Sequence, residues 1–175
     1  MDKTGIAQAK EAGKFLASLP VEYDYIFSSD LNRTTHTAAI VARKVGLNEI
    51  HTDKRLRPLD VGDRTGLSKK EHPIDEYIED PNKTIPGGES IKEFEEREHE
   101  FGDAFISLLA LKPKKKGIIV GHLSTIVYWT NQSVKKEDES YSNDIEDIIH
   151  PGGVVAITTD FNVIPLLGEN EKAKK

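Results

Sequence analysis

Two stretches of this chain place a chemically useful side chain directly after a strand-like run. Tyr25-Ile26-Phe27-Ser28 leads through Ser29-Asp30-Leu31-Asn32 to Arg33, in the first turn of a helical stretch. An arginine that complements a helix dipole sits near the opposite end. At this position its fork of donors suits a bound phosphate or carboxylate, with an ordinary ion pair to Asp30 or another carboxylate as the alternative. The second stretch is Ile118-Ile119-Val120-Gly121-His122, where a histidine follows a buried-type strand and Gly121 permits close backbone approach. Of six histidines, His122 alone has such a setting. A lone histidine is more often a structural hydrogen-bonder than a catalyst. Arginine and histidine together, at the ends of two strands, point to phosphate chemistry.

The remaining candidates carry less. His36, three residues after Arg33, could share its helix face but is expected to be exposed or at the core edge. His51, His72, His99 and His150 show no H-E-x-x-H or comparable spacing, so no metal site is assigned. Gly87-Gly88 lacks the spacing of a nucleotide P-loop and reads as a turn, and Lys114-Lys115-Lys116 reads as a solvated turn.

A scaffold of suitable size is available to hold such a pair. The 175 residues fit one domain, with 37% hydrophobic and 31% charged residues and no low-complexity tract, which excludes disorder as the main state. Against 24 Lys and Arg stand 30 Asp and Glu, a formal charge of −6 that offers no general attraction to nucleic acid or anionic lipid. There is no cysteine, hence no thiol chemistry, and no apolar run that resembles a signal peptide or a membrane span. The cytoplasm is the expected location.

The elements alternate. A helix is expected from about Gly5 to Leu19, a strand at Tyr25 to Ser28, and a helix carrying Thr34, Ala38, Val41 and Val45 on one face until Gly46. A short strand at Glu49 to Thr52 precedes Leu56 to Gly66, read as a strand end running into a loop. Leu67 to Gly88 is a polar, lid-like excursion with a short helix near Ile74 to Ile78. Ser90-Ile91-Lys92-Glu93 is a capping box that opens a helix through Phe94, Phe101 and Phe105 to about Leu111. A basic turn at Lys112 to Lys116 leads to the strand at Ile118 to Val120, and a helix is expected around Ile126 to Trp129. A polar loop from Ser133 to about Glu146, strands at Val154 to Thr159 and Asn162 to Leu166 joined by a turn at Asp160-Phe161, and a charged tail from Gly168 complete the chain. The alternation implies an α/β fold, a mostly parallel sheet with helices on both faces in three layers.

The same residues resemble the histidine phosphatase superfamily, the phosphoglycerate-mutase-like group. The matching stretches are Thr4-Gly5-Ile6-Ala7-Gln8-Ala9, Ser28-Ser29-Asp30-Leu31-Asn32-Arg33-Thr34 with Thr37-Ala38, Leu56-Arg57 through Gly62 and Gly66, Pro86-Gly87-Gly88-Glu89-Ser90, and Val120-Gly121-His122, in the family's order. The resemblance implies one histidine-phosphatase-like domain over 1–175 and transfer through a phosphohistidine. One histidine attacks phosphorus while a second histidine and two arginines stabilise the equatorial oxygens. Arg33 matches the second arginine and His122 the second histidine. The nucleophile and first arginine belong to an Arg-His-Gly on the family's first strand, and no Arg-His-Gly occurs here. That strand is therefore expected to be missing, leaving the domain N-terminally incomplete and unable to form the covalent intermediate. Where many members carry a glutamate as general acid, this chain has Pro58, and Asp60 is the candidate to replace it. The expected ligand is a small phosphorylated substrate or phosphate, with no cofactor; a homo-oligomer stays open. The competing expectation is a non-catalytic pseudophosphatase that binds an anion or a partner.

Overall fold

The structure is a computed structural model that describes residues 1–68, 73–111, 116–134, 151–157 and 163–167. Helix α1 (Lys3–Ser18) begins at Asp2, whose carboxylate accepts the Gly5 N–H at 2.8 Å. Strand β1 (Tyr25–Ser28) and helix α2 (Asn32–Val45) follow, and Gly46 closes α2 with φ 80°, a left-handed conformation suited to glycine. The chain continues through β2 (His51–Thr52), α3 (Asp75–Glu79), α4 (Ile91–Ala110), β3 (Gly117–Val120), α5 (Leu123–Val134), β4 (Val154–Ile157) and β5 (Val163–Leu167). The capping box forms as expected: Ser90 Oγ accepts the Glu93 N–H at 3.1 Å, and Glu93 Oε2 accepts the Ser90 N–H at 2.8 Å.

β1 lies between β2 and β3, parallel to both, and β4 pairs with β5 antiparallel in a separate two-stranded sheet. Strand alternation divides the core into two layers. Ile26 and Ile118 point to the side covered by α1 and α2, where they meet Leu16, Ala38, Val41 and Ala42. Phe27 and Ile119 point to the other side, against Phe94 and Phe101 of α4 and Tyr128 and Trp129 of α5. The fold is thus α/β with helices on both faces of a parallel sheet. Phe101 is 2% exposed, and burial of such a ring contributes roughly 2 to 3 kcal/mol. Gly102 lies directly under the Trp129 indole, where a β-carbon would overlap the ring.

The differences from expectation have local causes. The run at 49–52 keeps only two paired residues, and Leu56 to Gly66 is not a strand. Asp53 accepts the Arg55 N–H and closes a 3-10 turn over Lys54–Leu56, Pro58 lacks the N–H a ladder needs, and a second 3-10 turn covers Gly62–Arg64. Helix α5 extends beyond the apolar residues Ile126 to Trp129 at both ends. His72, His150, Lys114, Lys115, the turn at Asp160-Phe161 and the tail from Gly168 lie outside the described residues. Among the described residues, no helix is long and apolar enough to cross a membrane.

One carboxylate lies inside the second layer. Glu98 is fully buried, accepts the Thr125 hydroxyl at 2.7 Å and the Trp129 indole N–H at 3.1 Å, and thereby ties α4 to α5. Burial pushes its carboxyl up to about 7, against the opposing pull of those two donors and of Arg97. A carboxyl with a raised folded-state value loses stability as pH climbs from its unfolded value near 4.5 to about 7, a loss of roughly 3 kcal/mol from this group. Glu98→Gln can keep both partners, its amide donating to Thr125 and its carbonyl accepting from Trp129, while removing the titration. Urea unfolding at pH 5 and pH 7.5 should show the variant gaining on the parent at the higher pH. A pH-independent difference would mean that Glu98 titrates as in a peptide.

Candidate active site

Because β1 and β3 are adjacent and parallel, with Ser28 opposite Val120, their carboxyl ends emerge side by side. The Ser29 N–H still reaches the Val120 carbonyl at 3.4 Å, after which both chains turn into helices. Ser29 and His122 therefore meet, although 93 residues apart, with Ser29 Oγ 2.8 Å from His122 Nε2. On the other side of the ring, Arg33 Nε donates to His122 Nδ1 at 3.3 Å. Thr34 stands behind Ser29, hydroxyl to hydroxyl at 2.5 Å, and Thr34 also donates to the Leu31 carbonyl at 2.8 Å. Ser28, Ser29 and Thr34 are buried, His122 is partly buried, and Arg33 is exposed.

Arg33 does not pair with Asp30. Asp30 takes a bidentate bond from Arg57, at 2.7 Å to Nε and 2.5 Å to Nη2, and this lowers the Asp30 carboxyl below its usual range. Among the described residues no carboxylate lies within ion-pair distance of Arg33. Its positive charge instead falls on His122, whose imidazole is held down to about 4, first by burial and then by Arg33 and Arg97. His122 is thus neutral at physiological pH.

A second set of contacts carries the 55–60 loop to this place. The Leu59 N–H bonds Ser124 Oγ at 3.3 Å, two residues after His122. Arg97 on α4 donates to the carbonyls of Arg55, Arg57 and Pro58 and to both oxygens of Glu89. Glu89 in turn accepts the Asp60 N–H at 2.8 Å and gives its own N–H to the Asp60 carbonyl at 3.1 Å. The backbones at Gly62 and Gly87-Gly88 run so close that a side chain on Gly62 would overlap Pro86 and Gly88, which is why that loop carries glycine there. The Asp60 carboxylate accepts the Gly62 N–H at 2.9 Å, an Asx turn. Among the described residues it makes no hydrogen bond to Arg33 or His122, so the structure joins two of the three expected site residues and leaves the third in the adjoining loop.

The other described histidines stay apart. His36 is exposed, His51 packs on Phe27 with ring centroids 5.0 Å apart, and His99 is exposed beside Asp103. No group of three or more potential metal ligands occurs among the described residues. Sequence reasoning did not single out Ser29, Arg97 or Glu98. Only Glu98 left a signal, a carboxylate on the stripe between Phe94 and Phe101.

The fold and the strand-end pair define an α/β domain with an arginine and a neutral histidine converging at the sheet's carboxyl edge. The sequence profile of the histidine phosphatase superfamily (branch 1) matches residues 1–156, and the chain belongs to that family. It is 37% identical over 130 residues to a Salmonella choleraesuis protein named probable phosphoglycerate mutase GpmB, covering 67% of this chain and 55% of that one. The chain spans about half the length of the curated relatives it matches. Among solved structures, the α-ribazole phosphatase of Shigella flexneri superposes with a TM-score of 0.65 at 20% identity, over 96% of this chain and 83% of that one. A mycobacterial glucosyl-3-phosphoglycerate phosphatase gives 0.62 at 23% identity, over 85% and 72%. These two likenesses establish the fold.

Replacing Arg33 by Met removes one of the two cations acting on His122 while leaving its burial. Followed by the ring proton resonances, the His122 midpoint should rise from about 4 but stay below 6.5, because burial is the larger cause. A midpoint that does not move would show that the Arg33 charge does not reach the ring.

Proposed function

We propose that this chain carries the oxyanion-binding part of a histidine-phosphatase-type phosphomonoester hydrolase, with a small phosphorylated molecule or a phosphohistidine as substrate. The observation that supports it is the meeting of Arg33 and His122 at 3.3 Å, with no carboxylate on the arginine among the described residues. Arg33 grips a phosphoryl oxygen, and His122 faces the charge that develops as the phosphoryl group is transferred. Asp60, the one carboxylate between Arg57 and Gly62, is assigned the proton for the leaving oxygen. Hydrolysis is preferred to mutase chemistry because the excursion from Leu67 to Gly88 is short for an elaborate substrate cover. The relatives with mutase and phosphatase names share a phosphate monoester as the common element of their names' chemistry.

A covalent phosphohistidine needs a nucleophile, and the 175 residues contain no Arg-His-Gly. The polypeptide of these residues is accordingly expected to bind the anion without turning over substrate.

Titrating the 175-residue polypeptide with inorganic phosphate or vanadate should shift the His122 ring resonances, and Arg33→Ala should abolish the shift. A shift unchanged in Arg33→Ala removes the arginine from the site. With a generic aryl phosphate no turnover is expected, and turnover lost in His122→Ala would show that these residues contain a complete catalytic set.

A further inference from the structure

The 55–60 loop touches both turns that carry the candidate site. Arg57 holds the Asp30 carboxylate, three residues before Arg33, and the Leu59 N–H bonds Ser124 Oγ at 3.3 Å, two residues after His122. The loop is thus a further link between the ends of β1 and β3, besides their pairing and the contacts of His122 itself. Its own course is set from α4. Arg97 has five N–H groups, and each has its own acceptor. Nη1 donates to the carbonyls of Arg55 and Arg57 at 2.5 and 2.7 Å. Nη2 donates to the Pro58 carbonyl at 2.9 Å and to Glu89 Oε1 at 2.6 Å, and Nε to Glu89 Oε2 at 2.9 Å. The guanidinium lies over the Phe94 ring, 4.8 Å from its centroid. Glu89 Oε1 also accepts the Asp60 N–H, and the Glu89 N–H bonds the Asp60 carbonyl, so the main chain of Asp60 is held on both sides of its α-carbon. Burial of Leu56 fixes one point of the loop, whereas the three carbonyls fix its direction.

We propose that Arg97 is a positioning residue of the anion site: through the 55–60 loop it holds in one frame the turns that bear Arg33 and His122, and through Glu89 it holds the main chain of Asp60. The consequence for anion binding rests on the anion-site reading above; the brace does not. The planar fork is what the brace requires, not the charge alone. A lysine at position 97 keeps the cation, but its three N–H groups leave at least two of the five acceptors unpaired. A site assembled in advance binds without first ordering the loop, so loosening the brace costs affinity even where Arg33 and His122 are intact.

Amide hydrogen exchange of the 175-residue polypeptide, without added anion, reads the brace. In Arg97→Lys the Leu59 amide, whose acceptor on Ser124 Arg97 does not touch, should exchange at least about tenfold faster relative to Ile26 in β1 and Val41 in α2. The Asp60 amide should follow it. A general loss of stability speeds the sheet and helix amides as well, so an unchanged ratio overturns the proposal. Should the lysine variant fail to fold, Glu89→Ala, which removes two of the partners of Arg97, gives the same test at Leu59. Phosphate or vanadate binding, followed by the His122 ring resonances, should weaken at least about tenfold in Arg97→Lys. A loosened loop with unchanged affinity also overturns the proposal. If neither anion perturbs His122 in the parent, the anion-site reading fails, while the exchange ratio still decides whether Arg97 holds the loop on the His122 turn.

Discussion

The parallel pairing of β1 with β3 is the constraint on which the site depends. Four backbone registrations, from Tyr25 opposite Gly117 to Ser28 opposite Val120, decide that two segments far apart in sequence leave the sheet at the same edge and height. In a doubly covered sheet that edge is where helices begin, so short polar side chains and donors collect there without further design. A slip of one residue would turn Ile118 and Ile119 to the wrong layers, so the apolar alternation holds the register that the chemistry uses.

Arg97 organises what the strands do not. Its guanidinium serves three carbonyls of the 55–58 loop and both oxygens of Glu89, and Glu89 passes the restraint to Asp60 through two further bonds. A loop whose Leu56 is fully buried and whose Leu59 packs against the same core is thereby anchored to a long helix through its backbone as well. Beside Arg97, with a carboxylate oxygen 3.9 Å from its guanidinium, Glu98 lies within the aromatic layer. Its linkage and that of His122 have opposite signs: raised, Glu98 loses stability as pH rises toward 7, whereas His122, depressed from 6.5 to about 4, loses it as pH falls through that window.

Much of this was legible in the sequence, for identifiable reasons. The capping box at Ser90, the stop at Gly46 and the alternation that sends Ile26 and Phe27 to opposite layers are local rules, and the structure follows them. Arg33 and His122 could be singled out because each breaks a local expectation, a cation at the wrong helix end and a histidine after a buried strand. The 56–66 segment is the expected loop without the expected strand end, because an apolar residue with charged neighbours fits a strand as well as a 3-10 turn, and only the Asp53 cap and tertiary bonds from Arg97 decide between them. Ser29 and Arg97 were invisible for a different reason. A serine in a turn and an arginine on a charged helix are ordinary in sequence, and they acquire meaning only through partners 93 and about 40 residues away.

The two cores touch the same sheet from opposite sides, and each sends one arm to the strand ends: α2 supplies Arg33, and the turn before α5 supplies His122. A guest held between them spans both halves of the molecule. Occupancy would therefore be felt as a single cooperative tightening of the whole domain rather than as the stiffening of one loop, since anything that binds the native state alone draws the entire folding equilibrium with it.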